Sequence, residues 1–256
     1  MPNVLITGGA KRIGADLARR FARLGFNVAV HYNSSEDEVL ALRDELNASQ
    51  RICTVFRADL RDRDATGHMF NEVRSAIGAI DLCINNASMF ANDDLLNYTD
   101  SQFDDHLSVN LKAPVQLAHL VGGQPEPAED RLVINLLDNK VFAINPDFFT
   151  YTLSKTALLT ATHMMAMRFA GFPRVCGIAP SITLISGKQS QENFEKSSRI
   201  NPLNRRVFPS DIADTAVFMW NTKGCNNQVV TIDGGQSMLK LPRDVAFLTK
   251  EGHFDE

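Results

Sequence analysis

The sequence predicts an α/β fold: a single-domain, Rossmann-type, doubly wound parallel sheet with helices on both faces. Two observations predict it. Short apolar runs rich in β-branched residues alternate with stretches of helical periodicity. The first of these runs enters a glycine turn, "LITGGAKRIG", that opens a helix. No repeat and no linker rich in Pro, Gly or Ser divides the chain, so one domain is expected over residues 1–256.

Taken in order, Asn3–Thr7 is the first strand. Ile13, Leu17, Phe21 and Leu24 then recur at helical spacing until Gly25 provides a stop. Asn27–Tyr32 reads as the second strand and Ser35–Leu46 as the second helix. Strands at Arg51–Arg57 and Ile80–Asn85 flank a helix near Arg63–Ala76. Residues 122–130, "GGQPEPAED", form a surface loop. Leu132–Leu137 and Val175–Ile178 are strands on either side of a long helix, Tyr151–Phe169. Gln228–Ile232 is a last strand before Asp233-Gly234-Gly235. Residues 183–208 are polar and broken by Gly and Pro. Following a strand, they are either a substrate lid or a solvated insertion.

Composition narrows the function classes. A chain of 256 residues with 44% apolar content can bury a sizeable core. A net charge of −4 without basic clusters argues against nucleic acid or an anionic membrane as partner. The four cysteines have no metal-like spacing, and Cys53 and Cys83 sit in apolar runs. They read as buried free thiols in a reducing cytoplasm, and no metal site is expected. No signal peptide and no membrane-spanning run is seen.

Two constellations carry chemistry. Gly8, Gly9 and Gly14 stand between a strand and a helix, where small residues let backbone approach phosphates and the helix start offers free N–H groups. An ordinary glycine turn has the same composition. Tyr151 and Lys155 are four apart, so on a helix they share a face and the ammonium can lie beside the phenol. A neighbouring cation favours phenolate, which would make Tyr151 a proton donor near neutral pH.

Asn85-Asn86-Ala87-Ser88 follows a strand, Asn110 sits in "VNLKAP", and Asn135 precedes Asp138. In this order and spacing the chain resembles the short-chain dehydrogenase/reductase family from Val4 to about Gly235. The resemblance makes Tyr151 the acid and gives Lys155 the nicotinamide ribose. Asn110 would order a water relay. It places cofactor contacts at Gly8, Lys11, Arg12, Ile13, His31, Asn33, Ser34, Asp59, Leu60, Asn86, Ala87, Tyr151, Lys155 and Pro180.

The departures point to the substrate. Asp138 stands where the family carries its catalytic serine. An ionised carboxylate only accepts hydrogen bonds, so it suits N–H donors or, if its pKa is raised, carries a proton. Both suit a nitrogen heterocycle whose C=N bond takes hydride at carbon and a proton at nitrogen. Phe90, in "NNASMF", can stack on a flat ring or belong to the core. With "GGAKRIG" and "IAPS", these residues resemble the pteridine reductase branch, most of all its bacterial dihydromonapterin reductase/dihydrofolate reductase type. Substrate contacts are then expected at Ser88, Phe90, Asp138, Tyr151 and Ser181. Cys176 replaces the family's usual Asn, and no role is read from it.

No carboxylate follows the second strand before Glu36, so Asn33 and Ser34 with a nearby Arg12 favour NADPH over NADH. Related reductases often add a basic residue within Asn33–Ser35, and this chain has none. The expected activity is NADPH-dependent reduction of a pterin such as dihydromonapterin, dihydrofolate or dihydrobiopterin. A carbonyl or 3-oxoacyl reductase, and a non-catalytic NADP(H)-sensing regulator, are the alternatives. The resemblance implies a homo-oligomer, a tetramer in many members. The tail 236–256 extends past the family's usual end and either crosses to a neighbour, packs or stays loose.

Overall fold

The computed structural model describes residues 1–49, 52–126 and 130–253. The strands are β1 (Asn3–Ile6), β2 (Asn27–Tyr32), β3 (Cys53–Arg57), β4 (Leu82–Asn85), β5 (Leu132–Leu136), β6 (Arg174–Pro180) and β7 (Val229–Ile232). They form one seven-stranded sheet in the order β3-β2-β1-β4-β5-β6-β7. Every neighbouring pair is parallel. The expected start of the third strand at Arg51, residues 127–129 of the surface loop and residues 254–256 of the tail lie outside the described residues.

Alternation along each strand builds two cores. Val4, Ile6, Val28, Val30, Leu132 and Ile134 face one side, against Leu17 and Phe21 of α1 (Arg12–Arg23). Val39 and Leu42 of α2 (Glu36–Ala48), with Ile212, Ala216 and Met219 of the helix Pro209–Asn221, complete that layer. Leu5, Ala29, Cys83, Val133 and Val175 face the other side. Met69, Phe70 and Val73 of α3 (Arg63–Ile77) cover them. Burial on both faces explains why the strands read as unbroken apolar runs. Strand order reverses beside β1, which opens a crevice at the carboxyl ends of β1 and β4, the usual ligand position in such sheets.

Several helices were not legible in advance. α4 (Asp100–Leu107) runs through a π-helical turn, Ser108–Lys112, into α5 (Ala113–Gly122). The widened turn precedes Pro114, which is tolerated at the first turn of α5, and it breaks the apolar period. The long helix α6 is Phe149–Phe169, and α8 is Pro209–Asn221. Segment 183–208 is largely exposed but anchored: α7 (Gln191–Ser197) buries Phe194, with the Arg206 guanidinium 4.7 Å from its ring centroid. The tail folds onto its own chain and forms α9 (Val245–Lys250).

All four cysteines are free and buried, as expected. Burial pushes the thiols of Cys53 and Cys83 up to about 12. Cys176 Sγ lies 3.8 Å from Cys225 Sγ, a contact the sequence did not reveal. No helix among the described residues is long and apolar enough to cross a membrane.

Candidate active site

The glycine turn is shaped by close packing. Gly8 has φ +59°, and a Cβ there would lie 2.8 Å from Ala87 Cα. A Cβ on Gly14 would lie 2.7 Å from Asn86 Nδ2. Asn86 Nδ2 donates to Thr7 O and Gly8 O, both at 2.9 Å, so the loop after β4 clamps the turn. His31 is buried beneath it: Gly8 N–H donates to Nδ1 at 3.1 Å, and the opposite ring nitrogen donates to Ala58 O. Burial holds the His31 pKa down, consistent with a neutral ring in that tautomer. Its role is support of the turn from below.

Arg12 keeps the backbone of the glycine it replaces, with φ +57°. Its side chain has a partner that the sequence did not show. Nη1 donates to Ile185 O at 2.6 Å, just beyond β6. In the sheet β6 lies on the β4 side of β1, and β2 with Asn33 lies on the other side. The guanidinium therefore leans toward segment 183–208, away from the end of β2.

A different arginine stands at that end. Arg57 closes β3 in register with Tyr32, and its Nε donates to Asn33 O at 3.1 Å. A basic side chain thus reaches the end of β2 from the next strand, a placement that strand register creates. Lys11 pairs with Glu38 at 3.4 Å on the exposed rim. Asp59 is held by Arg61, with Nη2 2.6 Å from Oδ2, and this pairing keeps its pKa below the ordinary carboxylate value. Leu60 beside it is buried.

The reactive groups meet where β5 leads into α6. The Tyr151 hydroxyl donates to Asp138 Oδ2 at 2.8 Å, while Lys140 N–H donates to Asp138 Oδ1 at 2.9 Å. Lys155 Nζ donates to Leu136 O at 2.7 Å and lies 5.8 Å from the Tyr151 ring centroid. Burial pushes the Asp138 carboxyl up. Burial also pushes the Lys155 ammonium down to about 8. The expectation that Lys155 lowers Tyr151 is not met in this state. Burial first and Asp138 second push the phenol well above its ordinary value, so the proton stays on Tyr151.

The Asn110 side chain is fully engaged by the protein. Its Nδ2 donates to Met89 O and Ser154 Oγ, both at 3.0 Å, and Oδ1 receives Met89 N–H and the Ser88 hydroxyl. Those bonds fill the capacity of the side-chain amide, so the Asn110 side chain fixes the loop carrying Ser88 and Phe90. Asp93, missed in the sequence, receives Thr150 N–H at 3.1 Å at the start of α6 and accepts the Thr150 hydroxyl. Phe90 is 41% exposed and stands edge-on to Tyr151, 4.7 Å between centroids.

These residues fit a dinucleotide. The first turn of α1, Arg12 and Ile13 onward, has no side-chain cap and no acidic residue, leaving N–H groups and the positive dipole end free for phosphate. Beyond Pro180, the last residue of β6, the Ser181 hydroxyl is buried without a partner, an orphan suited to an amide group. Lys155 retains donors beyond the one given to Leu136.

Residues 8–237 match the family model described as enoyl-(acyl carrier protein) reductase. Among solved structures, the chain is similar to FolM alternative dihydrofolate reductase 1 from Brucella canis, complexed with NADP. The two are 38% identical with a TM-score of 0.87, over 93% of this chain and 94% of that one. The Brucella suis FolM, also in complex with NADP, is 37% identical with a TM-score of 0.86, over 93% and 95%. The 3-oxoacyl-[acyl-carrier-protein] reductase FabG of Staphylococcus epidermidis is 27% identical, over 92% of this chain and 99% of its own.

Proposed function

We propose, for a chain that belongs to the short-chain dehydrogenase/reductase family, that it is an NADPH-dependent reductase of a pterin C=N bond. NADPH supplies the hydride when bound. The chain's residues bind the ring, hold it and deliver the proton. The observation that carries the substrate choice is the Tyr151–Asp138 bond. A serine at position 138 would offer a carbonyl oxygen a donor, and a carboxylate offers none. It accepts ring N–H groups instead. With its pKa raised by burial, Asp138 shares a proton with Tyr151, and the pair passes that proton to the ring nitrogen. Phe90 offers the exposed aromatic face for stacking.

NADPH use is supported by the two FolM structures with NADP and by Arg57 beside Asn33. The similarity to FabG favours a second reading, reduction of a 3-oxoacyl group. The reading also includes a cytoplasmic location and a homo-oligomer, the oligomer supported by exposed Leu153, Met164 and Met167 on α6. The test is NADPH consumption with dihydromonapterin, dihydrofolate, dihydrobiopterin and a 3-oxoacyl thioester. Turnover of a pterin is the expected result. Turnover of the thioester alone overturns the pterin reading.

A further inference from the structure

Two elements outside the reaction chemistry converge on the reactive pair. Arg243 Nε reaches both oxygens of the buried Asp147 at 2.9 Å, and Asp244 N–H donates to the same carboxylate at 2.7 Å. The Asp244 carboxylate pairs with Lys140, the two side chains being 14% and 9% exposed. Three residues on, Phe247 of α9 stacks on Phe148, 5.7 Å between centroids at 9°. Phe148 in turn stacks on Phe90, 4.4 Å apart at 17°. Asn193 of α7 donates to Ala246 O at 2.9 Å, tying α9 to segment 183–208.

The places gripped are specific. Asp147 and Phe148 immediately precede the helix that carries Tyr151, and Lys140 holds Asp138 through its backbone N–H. Phe148 has φ +57°, a left-handed conformation that a bulky residue adopts only where its surroundings over-determine it. The stacked rings of Phe90 and Phe247 and the Lys140 ammonium, 4.9 Å from the ring centroid, supply those surroundings.

We propose that the chain's own C-terminal segment, Arg243–Lys250, is a wall of the substrate pocket, with Phe247 a positioning residue that backs Phe90 through Phe148. This rests on the reading that Phe90 stacks on the substrate ring. The wall is built in cis, by a tail folded onto its own site.

The full-length chain and Phe247→Ala are compared in two ways. Hydrogen exchange of the peptide spanning residues 88–91 should quicken in the variant, while that of β1 stays unchanged. With a pterin that the unaltered chain reduces, KM should rise about tenfold, in the range of lost aromatic stacking. kcat should change less than about threefold, and the NADPH Kd should stay within about twofold. Phe247→Tyr should restore both readouts. An unchanged exchange rate, an unchanged KM, or a loss of NADPH binding in step with KM overturns the proposal. If the unaltered chain reduces no pterin yet exchange at 88–91 quickens, the substrate reading fails and the wall stands, with KM then read on the substrate that is reduced.

Discussion

The Tyr151 hydroxyl and the Asp138 carboxylate, 2.8 Å apart, form one proton-holding unit in which burial raises both groups. Replacing Asp138 by Asn preserves shape and removes the titrating oxygen. The expected result is a fall in kcat/KM for a pterin of about a hundredfold or more, the usual worth of a positioned acid. Asp138→Ser should lose the pterin equally. A gain toward a 3-oxoacyl thioester in that variant, without loss of pterin turnover, would contradict the assignment.

Lys155 gives a pH dependence with two opposite signs. Its ammonium, pushed down to about 8 by burial, is charged below that pH. NADPH binding, followed by fluorescence titration, should therefore weaken as pH rises through about 8. Stability should move the other way. The folded pKa lies below the ordinary 10.5, so between those values the unfolded chain binds more protons and the fold gains stability with rising pH. Lys155→Arg should remove the stability trend and hold its charge through the basic limb.

The parts of the molecule legible in the sequence are those encoded locally. The strands read from unbroken apolar runs because both sheet faces are buried, and Tyr151 with Lys155 read from helical spacing. What stayed hidden depends on contacts between distant segments. Arg12 stands in the glycine turn, yet its partner is Ile185, far along the chain in the segment after β6. Arg57 carried no signal until β3 was in register with β2. The partners of the Asn110 amide, Met89 and Ser154, are likewise set by the fold and not by local sequence.

Two buried histidines predict acid sensitivity. His106 receives Ala91 N–H on Nε2 at 3.3 Å and meets Thr150 Oγ1 through Nδ1 at 2.7 Å, and His31 receives Gly8 N–H. Burial lowers both pKa values below the ordinary 6.5. Protonation places a hydrogen where each accepts one. The unfolded chain takes up protons first, so their stabilising contribution is full above 6.5 and is lost as pH falls toward the folded values. The thermal midpoint should drop between pH about 7 and about 5. His106→Gln, which keeps an acceptor without titrating, should flatten that drop, and an unchanged slope would assign it to other groups.

Cofactor choice separates the two arginines. A guanidinium bound to a phosphate makes charge-assisted bonds, each worth about 1.5–3 kcal/mol, or roughly ten- to hundredfold in affinity. Arg57 stands beside Asn33, at the end of β2 where the distinguishing 2′-phosphate of NADPH belongs. Arg57→Ala should therefore weaken NADPH by about tenfold or more and leave NADH nearly unchanged. Arg12 donates to Ile185 O in the segment after β6, so Arg12→Gly should affect NADPH and NADH alike. Gly at position 12 also suits the φ of +57°, so any loss there belongs to the side chain and not to the backbone. Kd values for both cofactors with both variants decide the matter: selective loss at position 12 and parallel loss at position 57 would reverse the assignment.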